Sequence, residues 1–343
     1  MRIAIVGMGY WGSRLVRNLV AVIGSENVIA VDTDPCRLED ACRQYPSITR
    51  RDSLESALAE PDVRAVIIAT PVKTHTTLAA TALRAGCHVL VEKPLTTSIE
   101  EAELLIDLAE RQDLVLMVGH TFLFSPRVQW VKNFVARREL GELHYITSSR
   151  LNLGTHRPDA NVIWDLAPHD FSIIFHILDD VPTTIATSAR SVLRKEMPDV
   201  AFMNLTFASG VVASVAVSWF APRKIRTLML VGDHHMVVYD DTDPEEPVKV
   251  HDRGVVIPDS TDFGVNQLTY RYGDTVAPHI SPEEPLSIQL THFVECIQHG
   301  YAPRSDGRFG LDVVAALEAA DASWRTGGAP VAVKRSQLIG LAR

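Results

Sequence analysis

The sequence has few cysteines, and their spacing excludes two common uses of this residue. The chain of 343 residues contains four cysteines, with no CxxC pair and no Cys/His spacing of the kind that forms a zinc site. We therefore expect neither a disulfide framework nor a metal centre. Unpaired cysteines are typical of a reducing compartment, so a cytoplasmic protein is expected.

The sequence also lacks an excess of positive charge and a long apolar run. Lys and Arg number 33 against 42 Asp and Glu, a formal net charge of -9. Because no overall positive field exists, nucleic acid and anionic lipid are not expected as partners. No uncharged apolar stretch reaches the ~18 residues of a membrane span. Glycines interrupt the apolar N-terminal run and Arg14 and Arg17 follow it, so no export signal is predicted.

The first 120 residues alternate between short β-branched runs and amphipathic stretches, the pattern of βαβ units around a buried parallel sheet. At ~150 residues per domain the length indicates two domains, and we place the first at 1–122. Capping boxes are predicted for Asp52 with Glu55 and for Ser98 with Glu101. The fold class is α/β with a doubly wound sheet. Its predicted strands are 2–6, 28–32, 65–69, 88–92 and 114–118.

After Pro126 the pattern changes to strands joined by short turns, which favours antiparallel neighbours. We place a second, α+β domain at 123–343, with an open and mostly antiparallel sheet. Its predicted strands lie near 142–152, 183–192, 200–208, 211–219, 225–231 and 235–240. Its predicted helices are 126–139, 161–178, 282–299 and 310–326, and helix 161–178 is expected to lie on the sheet. The segment 241–285, rich in Asp, Pro and Gly, is the least informative part of the chain.

A glycine-rich sequence, GMGYWG at 7–12, follows the first predicted strand and opens a helix. In that position glycines let a pyrophosphate approach backbone amides at a helix N-terminus. The second predicted strand ends at Asp32, twenty residues after Gly12, where a carboxylate can accept hydrogen bonds from an adenosine ribose. This pairing favours a bound dinucleotide. The alternatives are a tight turn that only packs helix on strand, and a methyltransferase, whose fold also combines these two features.

Polar residues follow the later strands of the first domain, at the edge where ligands of doubly wound sheets bind. Lys93, within Glu92-Lys93-Pro94, is a candidate for exchanging a proton with a substrate alcohol or for donating a hydrogen bond to a carbonyl. A solvated charge at a strand end is the alternative. The sequence 70–75, which includes His75, and His120 are placed to line the same cleft, with polar loops as the alternative.

Asp165 and His169 lie four residues apart in the predicted helix 161–178 and hence on one of its faces. Such a pair can serve one cleft, whereas the alternative is an Asp-His pair on a helix surface. Pro168 between them predicts a kink or a late helix start. Trp164 adjoins the pair and is a candidate substrate contact.

The segment before this helix adds further candidate substrate contacts. Arg150, Asn152 and Arg157 lie between the first sheet strand and the Asp165 helix. Two arginines there suit a phosphate or diphosphate on the substrate through bidentate contacts. Solvated loop charges are the alternative, and a cationic sugar would instead suit the acidic balance of the chain.

Together these motifs resemble the Gfo/Idh/MocA oxidoreductases, the glucose-fructose oxidoreductase and inositol dehydrogenase family. The resemblance implies a Rossmann domain that binds NAD or NADP. It also implies a second domain, with an open antiparallel sheet, that supplies substrate contacts and subunit interfaces. The sequences that carry the resemblance are GMGYWG, Asp32, ATPVKTH at 69–75, EKP at 92–94, Asp165-x-x-x-His169 and, in the tail, Phe293, Asp306-Gly307 and 310–326.

The resemblance also implies roles for individual residues. Lys93 matches the lysine of the family's EKP motif, Asp165 the aspartate that contacts substrate, and His169 the histidine proposed as acid/base. Asn161-Val162 and Ala167 replace glycines that the family usually has near this aspartate, which is closer to members that act on nucleotide-linked or antibiotic sugars. The expected cofactor-binding residues are Gly7, Gly9, Tyr10, Trp11, Gly12, Asp32, Thr70, Pro71, His75, Glu92, Lys93 and His120.

The expected activity is hydride transfer between a ring secondary alcohol or ketone of a sugar and nicotinamide. The alternatives are an inositol or cyclitol dehydrogenase and a non-catalytic regulator that senses NAD. NAD is favoured over NADP because Asp32 repels a 2′-phosphate and Thr33-Asp34-Pro35 supplies no arginine, Arg37 being the nearest cation. A homodimer or homotetramer is expected because apolar residues of one strand would be exposed on one face of the open sheet: Val212, Val215, Val217 and Trp219.

Overall fold

The computed structural model describes residues 1–154, 160–256 and 269–334. Within this part of the chain there are two compact units. Unit 1 comprises residues 1–124 and 283–315, and unit 2 comprises the described residues of 125–282 together with 316–334.

The sheet of unit 1 is parallel throughout. Its strands are β1 (Arg2–Val6), β2 (Val28–Val31), β3 (Thr49–Arg51), β4 (Val63–Ile68), β5 (His88–Glu92) and β6 (Leu116–Gly119). They lie in the order β3-β2-β1-β4-β5-β6. Most residues of β1, β2, β4 and β5 are aliphatic and buried, as expected for a sheet covered on both faces. The predicted parallel sheet is confirmed, and β3 is an added edge strand whose three residues, TRR, carry no apolar pattern.

Helices flank this sheet, and one of them begins differently from the prediction. The helices are α1 (Tyr10–Ile23), α2 (Pro35–Gln44), α3 (Leu54–Leu58), α4 (His75–Arg84), α5 (Ile99–Arg111), α8 (Pro285–His299) and the start of α9 (Gly307–Arg325). Ser98 caps α5 as predicted. The capping box of Asp52 and Glu55 is wrong, because Ser53 caps α3 with Ser56 as its partner.

The segment 283–315 packs with unit 1 and completes both its core and one sheet edge. Phe293 of α8 is buried in the same apolar cluster as Ile5 of β1. The Val118 N–H donates to the Ser305 carbonyl at 2.8 Å, and the Ser305 hydroxyl donates to the Val118 carbonyl at 2.7 Å. The sequence boundary at 122 assigned this segment to the second domain, whereas these contacts place it in unit 1.

The sheet of unit 2 is mixed and mostly antiparallel. Its described strands are β7 (Leu143–Leu153), β8 (Thr184–Arg190), β9 (Val200–Thr206), β10 (Val212–Ser218), β11 (Phe220–Gly232), β12 (Met236–Asp240), β13 (Val248–Val256), β14 (Thr269–Val276) and β15 (Val331–Ala332). Their order is β14-β13-β12-β11-β7-β10-β9-β8-β15, and the pair β7 and β10 is parallel. The predicted open, mostly antiparallel sheet is confirmed. The strands β13 and β14 lie in 241–285, where the composition predicts no element.

Two helices, α6 (Pro126–Ala136) and α7 (Val162–Leu178), belong to unit 2, and α7 packs on β7, β9 and β10. Val215, Val217 and Trp219 lie on the buried face of this sheet, so their predicted exposure is wrong. The cause is strand alternation: Val212 has the opposite parity and is 43% exposed. No described helix is long and apolar enough to cross a membrane.

Candidate functional site

The glycine-rich turn between β1 and α1 is closed by backbone contacts. Gly7 has φ +98°, a conformation that favours glycine, and a Cβ there would lie 2.7 Å from the Ala69 carbonyl oxygen. A Cβ at Gly12 would lie 1.8 Å from the Gly7 carbonyl oxygen, so only glycine allows α1 to pack this closely. At Gly9, by contrast, a Cβ would meet no described atom within 4 Å. Packing therefore explains Gly7 and Gly12 but not Gly9.

The N-terminus of α1 suits an anion. Gly9 is the N-cap residue; within the described part of the chain no side chain caps the helix and its first turn has no acidic residue. The first amides of a helix and the positive end of its dipole favour a phosphate group. Together with the space at Gly9, this arrangement fits the pyrophosphate of a dinucleotide.

Asp32 follows β2 and is buried at the sheet edge. Its Oδ2 accepts a hydrogen bond from the Met8 amide at 2.6 Å, and its Oδ1 accepts one from the Asp34 amide at 2.9 Å. A guanidinium nitrogen of Arg37 lies 3.6 Å from Asp32 Oδ2 and another lies 3.3 Å from an Asp34 oxygen. The carboxylate is thus oriented by the glycine-rich turn itself, at the position expected for a ribose contact.

A cavity of about 370 Å³ lies beside this turn. Its lining includes Gly9, Tyr10, Arg37, Ala41 and Tyr45, which come from the turn, α1 and α2. Polar residues, among them Ser13, Asp40 and Gln44, contribute to its walls together with apolar ones, and Asp32 is not among the lining residues. The cavity is therefore open space that adjoins Gly9 and the N-terminus of α1.

The His75 side chain contacts both the loop after β4 and the loop after β5. Its Nδ1 lies 2.9 Å from the Pro94 carbonyl oxygen, and its Nε2 lies 3.0 Å from the Thr70 carbonyl oxygen. Burial lowers the pKa of His75, with the Lys93 charge a smaller cause. The structure thus places this predicted cofactor contact, with Thr70 and Pro71, in a loop junction at the expected edge.

Glu92 and Lys93 follow each other at the end of β5, and the peptide bond to Pro94 is cis. The Glu92 carboxylate is buried and accepts a hydrogen bond from the Trp11 indole N–H. Burial raises the pKa of Glu92 to about 7, although Trp11 and Lys93 act in the opposite direction. The Lys93 side chain is only half-buried.

His120 follows β6 and is 1% exposed. Its ring packs edge-on against Phe309, with ring centroids 5.6 Å apart. Neither ring nitrogen has a hydrogen-bond partner among the described residues. Burial, and to a smaller extent the Lys93 charge, lowers the pKa of His120 to about 3, so its imidazole is neutral at physiological pH.

In unit 2, the N-terminal part of α7 presents Asp165 and His169. The Asn161 side chain caps α7 by accepting from the amides of Ile163 and Trp164 at 3.0 and 3.1 Å. Asp165 lies in the first turn, and the buried Trp219 indole N–H donates to its Oδ2 at 3.0 Å. Trp219 follows β10, and the sequence gives no local signal for this pairing.

Asp170, the residue after His169, is buried and fixes the rotation of α7 on the sheet. Arg150 of β7 donates through Nε to Asp170 Oδ2 at 2.7 Å, and the Ser148 hydroxyl donates to Asp170 Oδ1 at 2.7 Å. The predicted substrate contact Arg150 is thus placed in a buried ion pair. Because neighbouring residues of a helix are about 100° apart, this buried pair orients the half-buried His169 away from the Asp170 side of α7.

Two of the other predicted substrate contacts, Asn152 and Trp164, lie on different elements of unit 2. Asn152 lies on β7, on the same strand face as Arg150, and Trp164 is half-buried on the first turn of α7. Arg157 lies outside the described residues. The prediction that these side chains bind substrate stays a prediction.

Comparison with known proteins decides the family. A model of the "Oxidoreductase family, NAD-binding Rossmann fold" matches residues 1–120, and one of the "GFO/IDH/MocA C-terminal domain" matches residues 128–238. A UDP-N-acetylglucosamine 3-dehydrogenase from Acidithiobacillus ferrooxidans is 31% identical over 223 residues, covering 64% of this chain and 67% of that protein. The chain belongs to the Gfo/Idh/MocA oxidoreductase family.

Two further proteins match the chain over most of their own length. A scyllo-inositol 2-dehydrogenase (NAD(+)) from Bacillus subtilis is 24% identical over 317 residues, covering 88% of each chain. The solved structure of a levoglucosan dehydrogenase in complex with NADH and levoglucosan has a TM-score of 0.82 at 17% identity. It covers 98% of this chain and 100% of that one, which shows that the fold is shared. The predicted resemblance to the family is therefore confirmed.

Proposed function

We propose that this protein is an NAD-dependent dehydrogenase that oxidises a ring secondary alcohol of a sugar to a ketone, or catalyses the reverse reduction. The observation that carries the proposal is the space at Gly9, at the open N-terminus of α1 and next to Asp32, which fits a dinucleotide. A bound nicotinamide dinucleotide accepts or supplies the hydride. The family membership supports this class of reaction.

The protein's own side chains would handle the proton of the substrate oxygen. In the oxidation, His169 or Lys93 takes the proton of the substrate hydroxyl while the hydride leaves the carbon that bears this hydroxyl. Asp165 accepts a hydrogen bond from the hydroxyl and orients it, and the Trp219 indole keeps that carboxylate in one rotamer. In the reduction, the same group returns the proton to the carbonyl oxygen.

The substrate we favour is a nucleotide-linked or antibiotic-type sugar. The similarity to a UDP-N-acetylglucosamine 3-dehydrogenase supports this class. Arg157, Asn152 and Trp164 are the proposed contacts, and Arg150 supports the position of α7 through its buried ion pair with Asp170. An inositol or cyclitol is the second candidate, supported by the similarity to a scyllo-inositol 2-dehydrogenase.

The experiment that tests the function measures nicotinamide absorbance with sugar nucleotides, free sugars, inositols and aminocyclitol glycosides in parallel. Turnover of a sugar nucleotide, with weaker turnover of free sugars, is expected. Faster turnover of a free inositol that Arg157→Ala leaves unchanged would contradict the nucleotide-sugar class. Dinucleotide binding without any absorbance change would indicate a regulator instead of an enzyme.

We predict a preference for NAD over NADP. Asp32 is held by two backbone amides at a buried position, so its charge would meet a 2′-phosphate directly. Arg37, the cation that would bind this phosphate, is already shared by Asp32 and Asp34. Fluorescence titration should therefore give a lower Kd for NADH than for NADPH by at least about tenfold. A tighter complex with NADPH would overturn this preference.

We also propose that two or four copies associate through the outer face of the unit 2 sheet. Tyr145 of β7 and Val212 of β10 are register partners there and are 41% and 43% exposed, and Phe202 of β9 is 56% exposed. These side chains lie on one face, with the exposed Ser214 and Asn204 between Val212 and Phe202, and a second copy with the same residues would cover them. Light scattering should give a multiple of the 37.8 kDa chain mass, and a single-chain mass at micromolar concentration would contradict the proposal.

Four unpaired cysteines support a cytoplasmic location.

A further inference from the structure

Glu92 is buried, and the glycine beside it on β6 leaves room for its carboxylate. It is the last residue of β5, and its register partner on β6 is Gly119. A Cβ at Gly119 would lie 2.8 Å from Glu92 Oε1, so a larger residue there would displace the carboxylate. The Lys93 amide lies 3.3 Å from Glu92 Oε2 and donates to it.

The Trp11 indole reaches this carboxylate from another part of the sheet. Trp11 is the second residue of α1 and belongs to the glycine-rich turn, which follows β1. β4 separates β1 from β5 in the sheet. The hydrogen bond from Trp11 to Glu92 therefore connects the turn that fits the dinucleotide with the strand end that carries Lys93.

A buried carboxylate with few hydrogen bonds is costly, so its charge must be balanced by something nearby. Titratable groups that follow β4 and β6, the neighbours of β5, are the buried His75 and His120 and the exposed Lys73, and Lys93 follows Glu92 itself. Burial lowers the pKa values of both histidines, so neither is a cation at neutral pH. The Lys93 charge lowers the pKa of Glu92, so Lys93 is the cation with which the Glu92 charge interacts.

We propose that Trp11 and Glu92 are positioning residues: their hydrogen bond fixes the end of β5, and the Glu92 carboxylate stabilises the ammonium form of Lys93. The proposal rests on the proposed function in its reduction direction, in which the Lys93 ammonium donates to the substrate oxygen. Neither Trp11 nor Glu92 needs to touch the substrate for this role. Protonation of Glu92 would remove the stabilising charge, because a neutral acid does not favour a neighbouring ammonium.

The coupling can be measured first in the cofactor-free protein. The indole N–H signal of Trp11, identified by its loss in Trp11→Phe, should shift in NMR spectra recorded from about pH 5.5 to 8.5 with a midpoint near pH 7. Glu92→Gln keeps an oxygen acceptor but cannot ionise, so the same signal should not titrate. A wild-type signal that is constant over this range, or a Glu92→Gln signal that still titrates, would overturn the proposal.

Kinetics with the best substrate test the effect on Lys93. With the Lys93 ammonium donating to the substrate oxygen, kcat for ketone reduction should fall at high pH as the ammonium loses its proton. Glu92→Gln should move this basic limb to lower pH by about one unit, with little change in the KM for NADH, because it removes the charge that favours the ammonium. Trp11→Phe keeps the carboxylate and should move the limb less. A basic limb that Glu92→Gln leaves at the wild-type pH would overturn the proposal.

Matched controls separate these effects from general damage. Trp130→Phe removes an indole that stacks on Phe134 in unit 2, and Glu55→Gln removes an exposed carboxylate on α3. Both should leave the basic limb and kcat unchanged, and a shift in either that equals the Glu92→Gln shift would overturn the specific role of this pair. If the wild-type protein oxidised no sugar, the proposed function would fail while the indole titration still tested the Trp11–Glu92 coupling.

Discussion

Replacing Lys93 by methionine or His169 by alanine is expected to lower turnover by about 10²- to 10⁴-fold, the usual contribution of a group that transfers a proton. Methionine has nearly the same length as lysine and removes the ammonium. Alanine removes the imidazole from α7, whose position is fixed by the Asp170–Arg150 pair next to it. Steady-state kinetics in both directions, with the best substrate of the absorbance assay, measures the effect.

NADH binding should separate this loss from misfolding. Both variants should bind NADH with a Kd within about threefold of the wild-type value, since the features that fit the dinucleotide lie at Gly9 and Asp32. Lys195→Met and His144→Ala change exposed side chains of the same types and should leave turnover intact. Near-normal turnover in both test variants would refute the assignment, and a loss in only one would identify the proton-transfer residue.

Alanine at Gly9 is expected to abolish dinucleotide binding while the folded chain stays stable. Its Cβ would meet no described atom within 4 Å, and the φ of −72° suits alanine. The same Cβ would occupy the space that fits a pyrophosphate at the α1 N-terminus. We expect the Kd for NADH to rise at least about 100-fold, with a change in unfolding free energy below about 1 kcal/mol for the N-cap substitution.

Gly12→Ala provides the contrasting control. Its Cβ would lie 1.8 Å from the Gly7 carbonyl oxygen, so this variant should lose both thermal stability and NADH binding. Fluorescence titration and thermal unfolding of the cofactor-free variants measure the two properties separately. Unchanged NADH affinity in Gly9→Ala would contradict the location of the dinucleotide at this turn.

Features that depend on neighbours in sequence are the ones that the sequence predicts well. The parallel strands of unit 1, the helix over 162–178 and the capping role of Ser98 all follow from local periodicity or spacing. The glycine-rich turn is also local, because its context of strand, turn and helix is contiguous. The motifs therefore predict the family and the dinucleotide-binding fold.

Pairings between distant residues are what the sequence does not predict. Trp219 is 54 residues from Asp165, and Trp11 is 81 residues from Glu92. No spacing rule connects such residues, since the fold alone brings them together. The buried pair of Arg150 and Asp170 is missed for the same reason, because an arginine near a predicted site resembles a ligand contact until its partner is seen.

The exposure error on β10 has a different origin. Val212 and Val215 are three residues apart, and residues of one strand share a face only at even spacing. Treating Val212, Val215, Val217 and Trp219 as one set therefore combined the two faces of the strand. The structure leaves only Val212 of this set exposed.

The return of residues 283–315 to unit 1 determines the order in which the protein can be completed during synthesis. The first 124 residues leave the ribosome long before Phe293 and Ser305, which fill the core beside Ile5 and hydrogen-bond to Val118. All of the unit 2 residues up to 282 are synthesised in between. Until residues 283–315 are synthesised, the apolar surface of unit 1 that α8 covers in the finished protein stays exposed. Exposed apolar surface of this kind is prone to aggregation. Early occupation of the glycine-rich turn by a dinucleotide would stabilise unit 1 during that interval.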